Sequence, residues 1–492
     1  MPRSQPVREI MIKNNLTGKK EVLKPLTPGH VKMYACGVTP YDSCHIGHAM
    51  QAIFFDVMRR FMEFAGYRVT YVRNFTDVDD KIINRSKDLG ILPLELSERI
   101  IAESRCDLEG LGVAKAHHEP KVSEMIPEII EMVQTLIDNQ AAYSTKDGDV
   151  YYRVRQKADY GKLSNRKTDE LRSGAREIVQ GSKEDELDFA LWKADDTPGA
   201  SWKSPWGLGR PGWHIECSAM SKRFLGDSFD IHGGGRDLIF PHHENEIAQS
   251  ESANGKPYAS IWIHSGLLTL EKQKMSKSLG NYILINSFLK TWPGEVLRLS
   301  YLSHHYSSDI DFSEKLFAQN RRRLLYYYET IAELQTASIG ANGGESLSGF
   351  HPDEFLSEFQ RVMCDDFNTG QAIAALNVAM KKAKAVLLSK DSPLRSNSAK
   401  SYLEAFKQVG SVLGVLTSDP LEFITQLTDL VLPELKITRE EISHQIDLRT
   451  RARDGKDWQL SDKIRTELQS KGILLRDHPK GTLWSIEPPS EV

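Results

Sequence analysis

Two apolar runs flank one long amphipathic stretch near the start of the chain, and their spacing leaves few folds open. "HVKMYACGV" carries Val31, Met33, Tyr34 and Ala35 and predicts a buried strand with Cys36 at its carboxyl end. From His45 onward, Ile46, Met50, Ile53, Phe54, Val57, Phe61 and Phe64 recur at three and four residues, the spacing of a helix that buries one face and stops at Gly66. "YRVTYVRNFTDVDD" then predicts a second strand ending in polar residues. Strand, helix and strand of this length make a right-handed parallel crossover, and ligands of such sheets collect beyond the carboxyl ends of the strands. Cys36, the His45–His48 turn and the loop from Asn74 to Asp80 are therefore expected at one sheet edge.

The remainder divides by pattern. Residues 1–119 hold the first half of the sheet domain, 120–206 a mixed segment that reads as an insertion, and 207–265 the second half, where short apolar runs such as "ASIWIHSG" return. A basic loop region follows over 266–314, then a helical bundle over 315–432. "TASIGANGGESLSGFHP" and "SKDSPLRSNSAKS" have the composition of exposed connections within that bundle. Residues 433–484 form a small module with a helix around "KDWQLSDKIRTELQSKG" and a β-like "ILLRDHPKGTLW", and 485–492 read as a disordered tail. At 492 residues, several domains are required. The start lacks an apolar leader and no run of 18 apolar residues occurs, so a cytoplasmic protein without a membrane contact is expected. Five cysteines without a CxxC pair argue against a disulfide framework and leave thiols or metal ligands. A net charge of -4 excludes a uniformly basic nucleic-acid binder but not a local basic surface.

Chemistry concentrates in two places. The amino end of the His45 helix presents unpaired N–H groups and a positive dipole end, so with His45 and His48 at i and i+3 it suits a phosphate. "EKQKMSKSLGN" places Lys274 and Lys277 on a flexible basic loop able to neutralise a leaving pyrophosphate. "HIGH" and "KMSKS" in this order resemble the paired signatures of class I aminoacyl-tRNA synthetases. "YACGVTPYD", "RNFTDVDDKI", "GRPGWHIECSAM", "IHGGGRDLIFPHHENEIAQS" and "KMSKSLGN" are similar, over nearly the whole chain, to the cysteinyl-tRNA synthetase family.

The resemblance implies a Rossmann-type parallel-sheet catalytic domain of α/β class with an insertion, a helical bundle, and a C-terminal α+β anticodon-binding module. It implies ATP, with Mg2+, as the activating substrate, L-cysteine as the amino acid and tRNA(Cys) as acceptor, with no obligatory protein partner. It also implies one zinc ion per chain on Cys36, Cys217, His242 and Glu246. His242 and Glu246 share a face if "HHENEIAQS" is helical, while Cys217 is expected on a distant loop. Zinc explains the choice of amino acid, because it takes a deprotonated thiol far more readily than a hydroxyl. The substrate sulfur would either displace Glu246 or add as a fifth ligand. By the same resemblance Trp213 is a lid, Thr76 and Asp237 hold the amino-acid end of cysteine, and His232 lies near metal or substrate.

His45, His48 and Lys277 would meet the ATP phosphates, with Lys274 drawing the loop closed. Residues 449–480 hold nine Lys and Arg against five Asp and Glu, a surface suited to single-stranded RNA. Arg449, Arg451, Arg453 and Trp484 are its candidate contacts, and Trp458 reads as core. Two other functions are open to such a chain. A cysteine ligase acting on an amino sugar in mycothiol synthesis shares the catalytic half but lacks an anticodon module, and an inactive RNA-binding paralogue would not need both lysine and histidine signatures. A persulfide-forming side activity associated with "KIIK" meets "KIIN" here, at Lys81 to Asn84.

Overall fold

A computed structural model of the chain describes residues 9–167, 183–270, 273–274, 282–478 and 481–486. It forms two compact units, one from Met1–Leu289, Tyr301–Phe312 and Gln360–Ala372, the other from Lys290–Ser300, Ser313–Phe359 and Ile373–Val492.

The first unit begins with the expected crossover: β1 (His30–Val38), α1 (Ile46–Phe64) and β2 (Arg68–Phe75). After α2 (Asp80–Leu89), α3 (Pro93–Gly110) and α4 (Ile126–Asp138), the chain leaves the sheet for β3 (Ala142–Ser144), β4 (Val150–Tyr152), β5 (Phe189–Ala194), β6 (Trp202–Ser204) and β7 (Gly207–Pro211). It returns through α5 (Trp213–Leu225), β8 (Phe229–Gly235), α6 (Glu244–Asn254) and β9 (Ala259–Ser265).

The central sheet is parallel in the order β9-β8-β1-β2. Chain direction across the sheet reverses between β1 and β8, so the crevice at their carboxyl ends is a topological switch point, the place where such sheets bind ligands. Along α1, Ile46, Met50, Ile53, Phe54, Val57 and Phe61 are all buried, each worth about 1.5–3 kcal/mol relative to exposure. At the crevice β1 and β2 come unusually close. The Gly37 amide donates to Asn74 Oδ1 at 2.9 Å, and a Cβ on Gly37 would lie 1.7 Å from the Asn74 carbonyl oxygen, so only glycine fits.

The inserted strands form an antiparallel sheet in the order β3-β4-β5-β7-β6. It starts at Ala142 and closes with β7, beyond residue 206, while α4 packs on α5 and α6 beside the central sheet. The segment Gln360–Ala372 lies in the first unit rather than with the bundle, because Asp366 accepts from the Lys13 amide and the Tyr306 hydroxyl, both at 2.8 Å.

In the second unit α7 (Glu314–Ala337) packs against α8 (Ser392–Leu413) and α9 (Pro420–Val431). The polar stretch expected as a connection at 389–401 is mostly the first turns of α8. Asp391 caps it by accepting from the Leu394 amide, and Pro393 sits in the first turn. Its polar residues are spent inward: Asn397 accepts from the Asn342 and Gly343 amides and donates to the Glu345 carbonyl, and Ser398 accepts from the Leu347 amide. The end module comprises α10 (Arg439–Asp454), α11 (Trp458–Ser470) and a hairpin of β10 (Ile473–His478) and β11 (Gly481–Ile486). The last strand takes in Ser485 and Ile486, two residues of the expected tail; residues 487–492 lie outside the described residues.

Candidate active site and metal centre

Three elements of the first unit bring Cys36, Cys217, His242 and Glu246 together. Cys36 lies near the end of β1. Cys217 is in the second turn of α5, not on the loop expected from sequence, because the apolar residues of "WHIECSAM" pack inward at helical spacing. His242 comes from a π-type turn over Ile239–His243 that runs into α6, whose first turn bears Glu246. Cys36 Sγ is 3.8 Å from Cys217 Sγ, 3.6 Å from His242 Nε2 and 3.5 Å from Glu246 Oε1. Cys217 Sγ is 3.6 Å from His242 Nε2, which is 3.0 Å from Glu246 Oε1. All four are buried and could hold one metal ion.

Electrostatics in the cluster favour anionic Cys217 and Glu246 and keep protons on Cys36 and His242. The hydrogen bond from the Cys36 thiol leads in pulling the Cys217 thiol down to about 6, against burial and the charge of Glu246. Burial pushes Cys36 well up, and its neighbour Cys217 adds to this. Burial opposes charge on His242, yet Glu246 and Cys217 raise it to about 10. Burial also opposes the Glu246 carboxylate, but His232 and His242 hold it well below the usual range. A cation bound here would pair with the two anions and displace the protons on Cys36 and His242.

Around these donors lies a cage of which the sequence reading named only His232. His232 Nε2 is 2.8 Å from Glu246 Oε2, which also accepts from the Tyr258 hydroxyl at 3.1 Å. His232 stacks on Trp262 at 4.4 Å. His243 Nε2 is 3.4 Å from Cys36 Sγ, its Nδ1 is 2.8 Å from His264 Nε2, and His264 Nδ1 is 2.8 Å from the Asn15 amide. Burial drives His243 well below its ordinary value and His264 to about 3, so both rings are neutral. Cys36, His232, His243 and Glu246 thus make a second convergent quartet sharing two donors with the first. Its members His232 and His243 come from "IHGGGRD" and the doubled histidine of "HHENE", and His264, which supports His243, from "WIHSG".

Cys36 also lines a cavity of about 320 Å3, with His45, His48, Trp213 and Asp237 on its walls. Trp213 stacks on His242 at 4.2 Å. His45 is the N-cap of α1. Its Nδ1 accepts from the Gly47 amide at 3.1 Å, while His48 Nδ1 accepts from the His45 amide at 3.3 Å and the rings stack at 3.8 Å. With both Nδ1 atoms accepting, each neutral ring carries its hydrogen on Nε2, a donor for an anion at the helix end. Thr76 and His232 do not line the cavity. Thr76 is buried and accepts from the Asn74 amide at 3.3 Å, and His232 is fully buried behind Glu246. Lys274 belongs to a short strand, Gln273–Lys274, paired with Leu268–Leu270; Lys277 lies outside the described residues.

In the end module the expected RNA contacts separate. Arg451 is exposed and Arg453 half-buried, but Arg449 is buried and donates to the Thr482 hydroxyl at 3.3 Å, so it holds β11 rather than a ligand. Trp484 is half-buried with the Arg439 guanidinium 5.4 Å from its ring. Trp458, expected in the core, is 58% exposed at the start of α11, because Ser461, Ile464 and Leu468 fill the buried face. Among the described residues no helix is long and apolar enough to cross a membrane.

A family model for the class I tRNA synthetase (C) catalytic domain matches residues 22–322, and one for the DALR domain matches 358–417. The fold is shared with a Mycobacterium tuberculosis methionyl-tRNA synthetase in complex with methionyl-adenylate, at a TM-score of 0.59 and 14% identity, over 84% of this chain and 96% of that one. A switch-point crevice with a histidine-capped helix at its rim is thus that of a class I aminoacyl-tRNA synthetase. Cysteine–tRNA ligases of Desulfotalea psychrophila and Geobacter metallireducens are 44% and 46% identical to it, each over 97% of this chain and 99% and 100% of theirs. The chain belongs to the cysteine–tRNA ligase family.

Proposed function

We propose that the chain activates L-cysteine with ATP as cysteinyl-adenylate and transfers it to the 3′ end of tRNA(Cys), in the cytoplasm, at a site holding one zinc ion on Cys36, Cys217, His242 and Glu246. The observation that carries this reading is the convergence of these four donors beside a cavity that His45 and His48 also line. A tetrahedral zinc with bonds of about 2.3 Å to sulfur and about 2.05 Å to nitrogen has edges of about 3.8 Å between sulfurs and about 3.6 Å from sulfur to nitrogen. The sulfur–sulfur separation is 3.8 Å and both sulfur–nitrogen separations are 3.6 Å. Two thiols rather than one favour this quartet over the one with His232 and His243.

Bound zinc would supply a coordination position that accepts the substrate thiolate and discriminates against serine. The protein does the rest. Trp213, stacked on His242, closes the cavity over the side chain, and Asp237 pairs with the α-ammonium group. Thr76 and His232, behind the cavity wall, hold Asn74 and Glu246 in place. The substrate carboxylate attacks the α-phosphorus of ATP, accompanied by Mg2+, and pyrophosphate leaves in line. His45 and His48 Nε2–H groups and the α1 amino terminus stabilise the charge on the phosphates, with Lys277 and Lys274 joining from the downstream loop. The ribose hydroxyl of the tRNA then displaces AMP from the carbonyl carbon. In the end module, exposed Trp458 with Arg451 and Arg453 suits unpaired bases of the acceptor RNA better than half-buried Trp484.

Cysteine-dependent exchange of pyrophosphate into ATP, run beside serine and with metal analysis of the same preparation, tests the reading. Cys217→Ala is expected to lose both zinc and exchange while keeping its fold. Full exchange by that variant would refute the assignment.

A further inference from the structure

The insertion sends one turn, residues 157–164, against the π-type turn and α6, which carry His242 and Glu246. Glu244 is buried, and its carboxylate accepts three backbone amides of this turn: Gly161 at 2.9 Å, Leu163 at 3.2 Å and Ser164 at 2.8 Å. The turn needs glycine at its tightest point. Gly161 has φ +97°, and a Cβ there would sit 1.8 Å from the Arg166 carbonyl oxygen. Further along α6, the Tyr160 hydroxyl donates to Asn245 Oδ1 at 2.5 Å, and Lys157 and Lys162 meet Glu251 at 2.8 and 2.6 Å. Tyr152 bonds the Ala248 carbonyl and the Ser252 hydroxyl, and the Arg166 guanidinium lies 4.4 Å from the Phe240 ring in the turn that bears His242.

Glu244 stands midway between His242 and Glu246. At about 100° per residue, a side chain two positions from each projects away from the face those two donors share. The segment is therefore held from opposite sides, by the metal donors on one and by the insertion on the other.

On the reading that the Cys36, Cys217, His242 and Glu246 quartet holds zinc, we infer that Glu244 is a positioning residue for the metal centre and that the 157–164 turn serves to fix His242 and Glu246 against the two cysteines. Glu244→Gln puts an NH2 group where an acceptor stood and leaves buried amides without partners. The turn then releases the segment, and the donors lose their fixed separation. Changes to groups that orient metal ligands weaken metal binding by about 10–100-fold.

The test uses the full-length zinc-loaded protein and its E244Q, G161A and Tyr160→Phe variants. Zinc release to a chromophoric chelator is followed, with KM for cysteine and for ATP in pyrophosphate exchange and a melting curve for each. E244Q and G161A are expected to release zinc at least about tenfold faster, and to raise KM for cysteine while KM for ATP stays at the parental value. Tyr160→Phe, which removes one oxygen, shifts both in the same direction by less. A general loss of stability would lower the melting temperature without separating the two KM values. Folded variants that release zinc at the parental rate overturn the inference, and if E244Q and G161A fail to fold, parental release from Tyr160→Phe does so alone. A parent preparation that binds no zinc would instead overturn the metal reading.

Discussion

Gly37 is the position where a single carbon should cost the most activity. It follows the candidate ligand Cys36, lines the cavity, and faces the Asn74 carbonyl oxygen, which an added Cβ would approach to 1.7 Å. Contacts of a Cβ below 3.0 Å are not seen in proteins, so Gly37→Ala must move β1 and β2 apart by at least about 1.3 Å. Both partners are backbone, so no rotamer change can absorb the shift. It also breaks the bond from the Gly37 amide to Asn74 and displaces the cavity wall that holds Cys36 and the neighbour of Thr76. A misplacement of about 1 Å costs on the order of 100-fold in rate, or about 2.7 kcal/mol of transition-state stabilisation. Steady-state pyrophosphate exchange with cysteine varied should show kcat/KM down by about that factor, with zinc content measured on the same sample. A Gly37→Ala enzyme that folds and exchanges pyrophosphate within about threefold of the parent would refute the argument that strand proximity at the crevice sets the site.

Other consequences can be checked independently. Burial, helped by Glu103, raises the Asp107 carboxyl to about 6, so the folded state binds its proton more tightly than the unfolded chain does. Its stabilising contribution is present below about pH 4 and lost as pH rises through about 6. Asp107→Asn should therefore raise the melting temperature at pH 8, by the equivalent of about 1–2 kcal/mol after solvent screening, and do little at pH 4; equal effects at both would contradict this. Trp458→Ala should raise KM for tRNA by about tenfold while pyrophosphate exchange is unchanged, since one stacked base is worth about 1–3 kcal/mol. Arg449→Ala, by contrast, should lower the melting temperature of the end module, because the buried guanidinium holds Thr482. Asn397→Leu should loosen residues 342–345 at a cost of about 1–3 kcal/mol, visible as faster amide exchange at Asn342 and Gly343.

The sheet edge was legible in the sequence because two different periods meet there. β8 is buried along its whole length and β1 from Met33 to Cys36, as a sheet covered on both faces requires, while α1 repeats its apolar residues every three to four positions. The four candidate metal donors were legible only by resemblance, since 181 residues separate Cys36 from Cys217 and no local spacing records their meeting. What escaped is instructive in the same way. Polar residues were read as solvent-facing in "SKDSPLRSNSAKS" and at Arg449, yet Asn397, Ser398 and Arg449 are turned inward to satisfy groups contributed by a remote segment. Trp458 failed in the opposite sense, because a large aromatic is ordinarily buried and only the packing of Ser461, Ile464 and Leu468 on the other face of α11 reveals that it is not. Local patterns record which face a side chain can take, whereas the partner that makes an inward polar residue tolerable is recorded nowhere near it. Glu244 is the extreme case. One carboxylate, enclosed by three amides from some eighty residues upstream, sits between His242 in the preceding turn and Glu246 in its own helix. Its acidity alone would have placed it on the surface, and the contacts made on folding are what bury it beside the candidate metal donors.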